Sequence, residues 1–272
     1  MLARSPRGRS DAAPPEAPGQ TSRIVRDMDE FLTIIALTLM PAGGNFAGGL
    51  LADVMRVSQR TLSLALHAAA GIVMAVVGIE LMPEALATGP AWVMLLAFVA
   101  GGGSAIVADT LLEVVRTRTG GAEDTATSGP WAIYLGVAVD LFSDGVLIGT
   151  GSTINPALGF LLALGQVPAD VPEGFATVAT FKAKGVTRRR RLLVAASFAI
   201  PIVLGATLGY WGVRDQSEAV KFALLSFTAG ILLTVAVEEM VPEAHRGEDA
   251  RIASLFLVGG FALFGLLSAY VG

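Results

Sequence analysis

The stretch AGIVMAVVGIELMPEA, residues 70–85, occurs a second time in related form, as AGILLTVAVEEMVPEA at residues 229–244. The two copies are identical at 8 of 16 positions without a gap, and both end in Pro-Glu-Ala. Each copy is almost entirely apolar, apart from the glutamate of the final Pro-Glu-Ala and one internal glutamate in the first copy or two in the second. The chain therefore contains two related apolar segments far apart in sequence.

The composition is that of an integral membrane protein. Of the 272 residues, 53% are hydrophobic and only 15% are charged, and the mean hydropathy is +0.66. Soluble domains carry about 25% charged residues, so this excess of apolar surface exceeds what one soluble core could bury. The chain has no cysteine, which excludes disulfides and thiolate metal sites.

Eight apolar segments are long enough to cross the membrane, which takes about 20 helical residues. They lie at about 31–52, 61–86, 91–113, 131–154, 157–181, 192–213, 219–244 and 252–271. Strands of a membrane barrel would alternate in polarity over about 10 residues, which these segments do not. We therefore predict an all-α integral membrane protein with eight transmembrane helices.

The repeat places its two copies in the second and seventh predicted spans. Spans five apart cross the membrane in opposite directions, so the repeat is predicted to be inverted, with a 3+2+3 arrangement of the eight helices. Inverted repeats are frequent in secondary transporters, whose substrate site lies between them near the middle of the bilayer. This pattern favours a transporter.

The positions of lysine and arginine predict the orientation. Twelve of them lie in the loops on one side of the predicted membrane and only Arg214 and Lys221 in those on the other. The positive-inside rule therefore predicts a multi-pass cell-membrane protein with both termini outside and the basic loop 182–191 in the cytoplasm.

The first 27 residues are predicted to form a disordered tail in front of a membrane domain at 28–272. The five arginines of this tail oppose the predicted orientation. A translation start at Met28, which would leave the tail untranslated, is the alternative.

Four acids interrupt the fourth and fifth spans. Asp140 and Asp144 are spaced i, i+4, and Asp170 and Glu173 are spaced i, i+3, so each pair shares one helix face. At 1.5 Å per residue both pairs fall near the middle of the bilayer. We therefore predict that the four carboxyl groups meet in one polar cluster.

Ionised acids inside a membrane are costly, at about 2.5–3.5 kcal/mol each on insertion scales. Neither span has a lysine or arginine near the acids, so a local salt bridge is not available. A divalent cation or a chain of protons would explain the cluster. The alternative is a set of protonated acids that hydrogen-bond the two helices together.

The segments DLFSDG (residues 140–145) and ADVPEG (residues 169–174) resemble the paired metal motifs of the ZIP (Zrt-, Irt-like) metal transporters. Those read roughly H-N-x-P-E-G in the fourth helix and H/Q-D/E-x-P-E-G in the fifth. The segment VEEMVPEAH at 237–245 is similar to the H-E-x-x-P-E-x-H line of the same family. The resemblance covers about residues 31 to 271, and it implies eight spans and transport of divalent cations, with the fourth and fifth helices moving against the remainder.

By this resemblance, the primary metal site falls on Asp140, Asp144 and Glu173, and the second site draws on Asp170. Three positions depart from the family pattern: Asp140 and Ala169 replace imidazole or amide ligands, and Leu141 replaces asparagine. In the sixth span, Ile200 stands where the family often has an acid. We therefore expect one metal site rather than two.

The loss of histidine bears on the choice of metal. Zinc favours Cys, His and carboxylate ligands, whereas carboxylate, carbonyl and water suit manganese and other hard cations. The expected substrates are zinc, manganese or iron, with manganese or ferrous iron favoured by the missing imidazoles. No organic cofactor is expected. Further pathway candidates are Ser143, Glu80, Glu238, Glu239, Asp109 and, in the glycine-rich stretch at 42–49, Asn45.

We expect metal ions and membrane lipid as partners, and no nucleic acid. A homodimer is one option for the assembly. No phosphate-binding motif of the G-x-x-x-x-G-K-[ST] type is present, so direct use of ATP is not expected, and neither is enzymatic activity. The rival hypothesis is a ZIP-like membrane protein that senses metal or has a structural role without transporting it.

Overall fold

The structure, a computed structural model, describes residues 20–55, 58–119, 125–244 and 250–271. Within these residues all regular structure is helical, and we number eight long helices in chain order. They are α1 (Gln20–Val54), α2 (Gln59–Ala75, a π-helical segment Val76–Leu81, and Met82–Thr88), α3 (Ala91–Thr119), α4 (Thr125–Ser152), α5 (Pro156–Ala183), α6 (Arg188–Ser197 and Ala199–Val213), α7 (Glu218–Val235, a π-helical segment Ala236–Met240, and Val241–Ala244) and α8 (Ala250–Val271).

Seven of these helices are long and apolar enough to cross a membrane. The exception is α5, which carries Gln166, Asp170, Glu173 and two internal prolines. Its 28 residues would extend about 42 Å at 1.5 Å per residue, so its length suffices for a crossing. The all-helical membrane fold is confirmed, and the eighth crossing stays a prediction.

Two predicted boundaries differ from the structure. Helix α1 begins at Gln20, so residues 20–27, predicted as part of a disordered tail, are helical, while residues 1–19 lie outside the described part. The predicted basic loop 182–191 is only a short turn at 184–187, because α5 continues to Ala183 and α6 begins at Arg188. Lysine and arginine are good helix formers, which allows the helices to continue into the charged segment.

Helices α1 and α5 pack in parallel at backbone contact. A Cβ atom on Gly48 would collide with the carbonyl oxygen of Val171, and one on Gly174 would collide with that of Asn45. Helices α4 and α6 approach each other in the same way through Gly145 and Gly205. Helices that are an even number of membrane crossings apart run in the same direction, so parallel packing is expected for both pairs.

The helices form two groups of four, and these groups share an internal symmetry. Helices α1, α4, α5 and α6 pack together through the pairs α1–α5 and α4–α6, and the other four through α3–α7 and α2–α8. If α1 is exchanged with α6, α2 with α7, α3 with α8 and α4 with α5, the pair α1–α5 becomes α4–α6 and the pair α3–α7 becomes α2–α8. The set of four pairs therefore stays the same. The two π-helical segments also fall at equivalent positions of the sequence repeat. This arrangement agrees with the predicted inverted repeat.

The outer surface is apolar, as contact with lipid requires. Trp92, Trp131 and Trp211 are all exposed near helix ends, where tryptophan is enriched at membrane interfaces. Large aliphatic side chains of α3, α6 and α8 are exposed as well, among them Val99, Leu204 and Leu255. The protein is therefore a multi-pass membrane protein.

Candidate metal site

Helices α4 and α5 pack directly against each other and bring the four predicted acids together. Asp144 and Asp170 are buried almost completely, with 1% and 0% of their surface exposed, and Asp140 and Glu173 are partly buried. The carboxyl groups of Asp140, Asp144 and Glu173 all lie within electrostatic range of Asp170. The four acids therefore lie close enough to influence one another electrostatically, and their role as one metal-binding cluster stays a prediction.

A fifth polar residue of this cluster, Gln166, is absent from the sequence predictions. It is 1% exposed, and its side-chain amide donates a hydrogen bond to Oδ1 of Asp144 across the α4–α5 contact. Gln166 precedes Asp170 by four residues and Glu173 by seven, so all three lie on one face of α5. The signal in the sequence is a single amide one turn before Asp170 in an apolar run.

Four neutral polar side chains of α1, α4 and α5 are buried as well. Asn45 of α1, Ser143 and Thr150 of α4, and Thr177 of α5 are all buried. Within the described residues, their side-chain polar atoms make no hydrogen bond, and neither do the two carboxyl oxygens of Asp170. Buried polar groups of this kind are rare in folded proteins, so these side chains are candidate ligand positions.

The acids by themselves do not form a complete ligand set. Among the described residues, no three Asp, Glu or His side chains converge closely enough to hold one metal ion. A metal ion that bound beside Asp144 or Asp170 would therefore need neutral oxygen ligands, water, or a shift of α4 against α5 to complete its coordination.

The remaining predicted residues lie elsewhere. Glu80, in the π-helical segment of α2, accepts a hydrogen bond from Ser268 of α8. Glu238 is exposed, and the side chains of Asp109 and Glu239 lie outside the described part of the chain. Ile200 is 61% exposed, so α6 turns this position away from the bundle interior.

A cavity of about 840 Å³ opens at the end of the bundle that is predicted to lie outside. Its lining comes from the start of α1, the turn between α4 and α5, and the end of α6. Its acids are Asp27, Glu30 and Asp215, and Arg214 pairs with Asp27 at 2.5 Å. Three carboxyl groups and one arginine therefore line the cavity.

At the opposite end, the basic residues bind the end of α1. The buried carboxyl group of Asp53 accepts hydrogen bonds from Arg188, at 2.6 Å, and from Arg191. Lys182 donates to the backbone carbonyls of Ala52 and Asp53 at 2.9 and 2.8 Å. The positive charges that predict the orientation therefore also connect α1 to the turn between α5 and α6.

Fold and site together define a polytopic α-helical membrane protein with a buried acidic site inside one four-helix group. A model of the family described as ZIP Zinc transporter matches residues 122–268, more than half of the chain. The chain therefore belongs to the ZIP zinc transporter family.

Individual relatives carry the same family name or a related one. The chain is 29% identical to human zinc transporter ZIP4 over 148 residues, which are 52% of this chain and 22% of that protein. It is 27% identical to zinc transporter ZupT of Enterobacter sp. (strain 638) over 246 residues, 85% of this chain and 94% of that one. It is also 30% identical to zinc transporter GufA of Myxococcus xanthus over 139 residues. The chain thus spans about a fifth of the length of ZIP4 and nearly all of ZupT.

Proposed function

We propose that this protein transports divalent metal cations across the membrane through a carboxylate-lined site between α4 and α5. The observation that carries the proposal is the burial of Asp144 and Asp170 at the α4–α5 contact in a chain of the ZIP family. Asp140, Asp144, Asp170 and Glu173 are its metal-binding residues. Because the family consists of transporters, we assign the chain no enzymatic activity.

Zinc is the first substrate to test, since the relatives are named zinc transporters. The site itself offers only oxygen ligands and the amide of Gln166. Oxygen ligands suit manganese and other hard divalent cations, whereas zinc sites commonly include histidine or cysteine. We therefore propose that manganese or ferrous iron competes effectively with zinc here.

The route begins at the acidic outer cavity between α1, α5 and α6. A cation attracted there would move inward along α1 and α4 and exchange part of its water shell for carboxylate oxygens. Release to the cytoplasm would follow movement of the α1/α4/α5/α6 group against the other four helices. Supporting this division, all four proposed metal-binding residues belong to the first group.

The test is metal uptake into proteoliposomes, with zinc, manganese, ferrous iron and cadmium offered in turn. We expect wild-type protein to take up at least one of these metals. Glu173→Ala should abolish that uptake, because it removes a carboxylate from the acid cluster. The matched control is Glu218→Ala, since Glu218 is an exposed acid in the first turn of α7, far along the chain from the cluster.

The second candidate is a ZIP-like protein that senses metal or has a structural role. The replacement of the family's histidine by Asp140 and the exposure of Ile200 favour it. It predicts metal binding without flux for every metal offered. Metal binding without uptake would therefore contradict transport. If Glu173→Ala also abolished that binding, the acids would still be identified as a metal site.

A further inference from the structure

Asn45 of α1 is completely buried at the point where α1 meets α5. Its backbone carbonyl lies against Gly174, and its side-chain oxygen Oδ1 lies 2.8 Å from the position that a Cβ on Gly174 would take. Gly174 directly follows Glu173 and is one helical turn beyond Asp170. The side chain of Asn45 is therefore held against the part of α5 that carries the acids.

Asn45 also lies at the depth of Asp170. Gly44 lies against Val167 and Gly48 against Val171, and the two helices run in parallel. The level of Asn45 along α5 therefore falls between Val167 and Val171. Positions 170 and 174, four residues apart, share one face of α5. Asn45 and Asp170 thus belong to the same layer of the bundle.

Both residues have polar atoms without partners. Among the described residues, neither amide atom of Asn45 and neither carboxyl oxygen of Asp170 makes a hydrogen bond. A buried amide or carboxylate left in this state costs free energy, so two of them in the same layer of the bundle require an explanation. One cation bound by the oxygen of each would satisfy both.

We propose that Asn45 is a metal ligand supplied by a third helix: its carboxamide oxygen coordinates the transported cation beside Asp170. This inference rests on the proposed function. A ligand from Asn45 would help to complete the ligand set that the acids alone do not provide. Helix α6 supplies no acid at the corresponding position, because Ile200 faces outward, and α1 would supply the additional ligand in its place.

The chemistry of the proposed ligands narrows the range of cations that the site would prefer. Asparagine and aspartate contribute oxygen only, and one neutral oxygen adds coordination without adding to the repulsion among the carboxylates. Sites of this kind suit cations such as manganese, which prefer oxygen ligands. We therefore expect Asn45 to matter more for manganese than for cadmium.

The test is the thermal stability of the purified full chain in detergent, without metal and with manganese or zinc. A bound metal raises the melting temperature by mass action, so the shift reports affinity. Asn45→Leu keeps the approximate shape and removes both polar atoms. We expect it to melt at or above the wild-type temperature without metal and to bind manganese at least tenfold more weakly.

The control is Thr38→Val on the same helix. Thr38 is equally buried, but its hydroxyl donates to the backbone carbonyl of Ile35 at 2.8 Å, so its loss should leave metal affinity unchanged. Asn45→Asp serves as a second variant, which keeps the shape and adds a charge. It should bind manganese several-fold more tightly than the wild type.

The outcomes separate this inference from the proposed function. If the wild type shows neither a metal-dependent shift nor uptake, the proposed function fails. If the wild type binds manganese but Asn45→Leu binds it within twofold, Asn45 is no ligand and the function stands. A large fall in the metal-free melting temperature of Asn45→Leu, with Asn45→Asp binding no tighter than wild type, would make Asn45 a packing residue and overturn the inference.

Discussion

The contact between Gln166 and Asp144 fixes one acid of the cluster. The amide donates to Oδ1 of Asp144 inside the protein, where neither side chain can exchange partners with bulk water. A typical hydrogen bond contributes about 0.5–1.5 kcal/mol net, roughly a two- to tenfold effect on an equilibrium. Gln166 therefore acts as a positioning residue for Asp144.

Replacing Gln166 with methionine tests this role, because methionine keeps the length of the side chain and removes the amide. We expect the KM for metal uptake to rise about tenfold, while the maximal rate changes little, since Asp144 remains present but loses its fixed orientation. Ser226→Ala is the control, because this buried hydroxyl of α7 bonds a backbone carbonyl at 2.8 Å. An unchanged KM would show that Asp144 does not depend on Gln166.

The sequence predicts some of these residues and misses others for a physical reason. Spacing within one helix determines that Asp140 and Asp144, or Asp170 and Glu173, share a face, and the structure shows that these positions are indeed helical. The contacts of Gln166 and Asn45 depend instead on how α4 and α1 are rotated and shifted against α5. That arrangement follows from packing between distant segments, which a single sequence does not display.

At the scale of helices, close packing of α1 against α5 holds the site together. The two backbones meet at Gly48 and Gly174, and no side chain separates them there. Small residues allow such approaches in membranes, where van der Waals packing supplies much of the association energy. The depth at which Asn45 lies against α5 therefore depends on these glycines.

Two alanine substitutions in α1 test this contact. Gly48→Ala should lower stability by about 1–3 kcal/mol or more and impair uptake, because the added methyl group collides with the carbonyl oxygen of Val171. Gly43→Ala should be neutral or stabilising by up to about 1 kcal/mol, since Gly43 faces open space and alanine is the better helix former. Thermal inactivation in detergent measures both, and equal effects of the two would contradict the packing.

Helix boundaries show a similar limit of sequence interpretation. Long apolar runs predict the number and order of the helices, since burial in lipid needs little other information. The start of α1 at Gln20 and the helical state of Arg188–Ser197 lie in polar segments, where local propensity and the contacts of Asp53 decide the outcome. The π-helical segments in α2 and α7 likewise cannot be recognised from the pattern of apolar residues.

At the scale of the whole molecule, the orientation in the membrane can be tested because the chain has no cysteine. Single cysteines introduced by Gln216→Cys, in the turn after α6, and Lys184→Cys, in the turn after α5, lie in exposed segments at opposite ends of α6. A membrane-impermeant maleimide should label the first in intact cells and the second only after lysis. The cysteine-free parent is the control, and the reverse labelling pattern would invert the orientation.

The acid cluster has a final consequence because no lysine or arginine accompanies it within the apolar parts of α4 and α5. If its acids are ionised, the empty site carries negative charge, and a divalent cation cancels two of those charges. Moving one elementary charge through 100 mV changes the free energy by about 2.3 kcal/mol. In a cell whose interior is electrically negative, the membrane voltage would drive the empty site outward and act more weakly on the loaded one. If the protein transports metal as proposed, voltage itself would thus return the empty site to the side on which metal is collected.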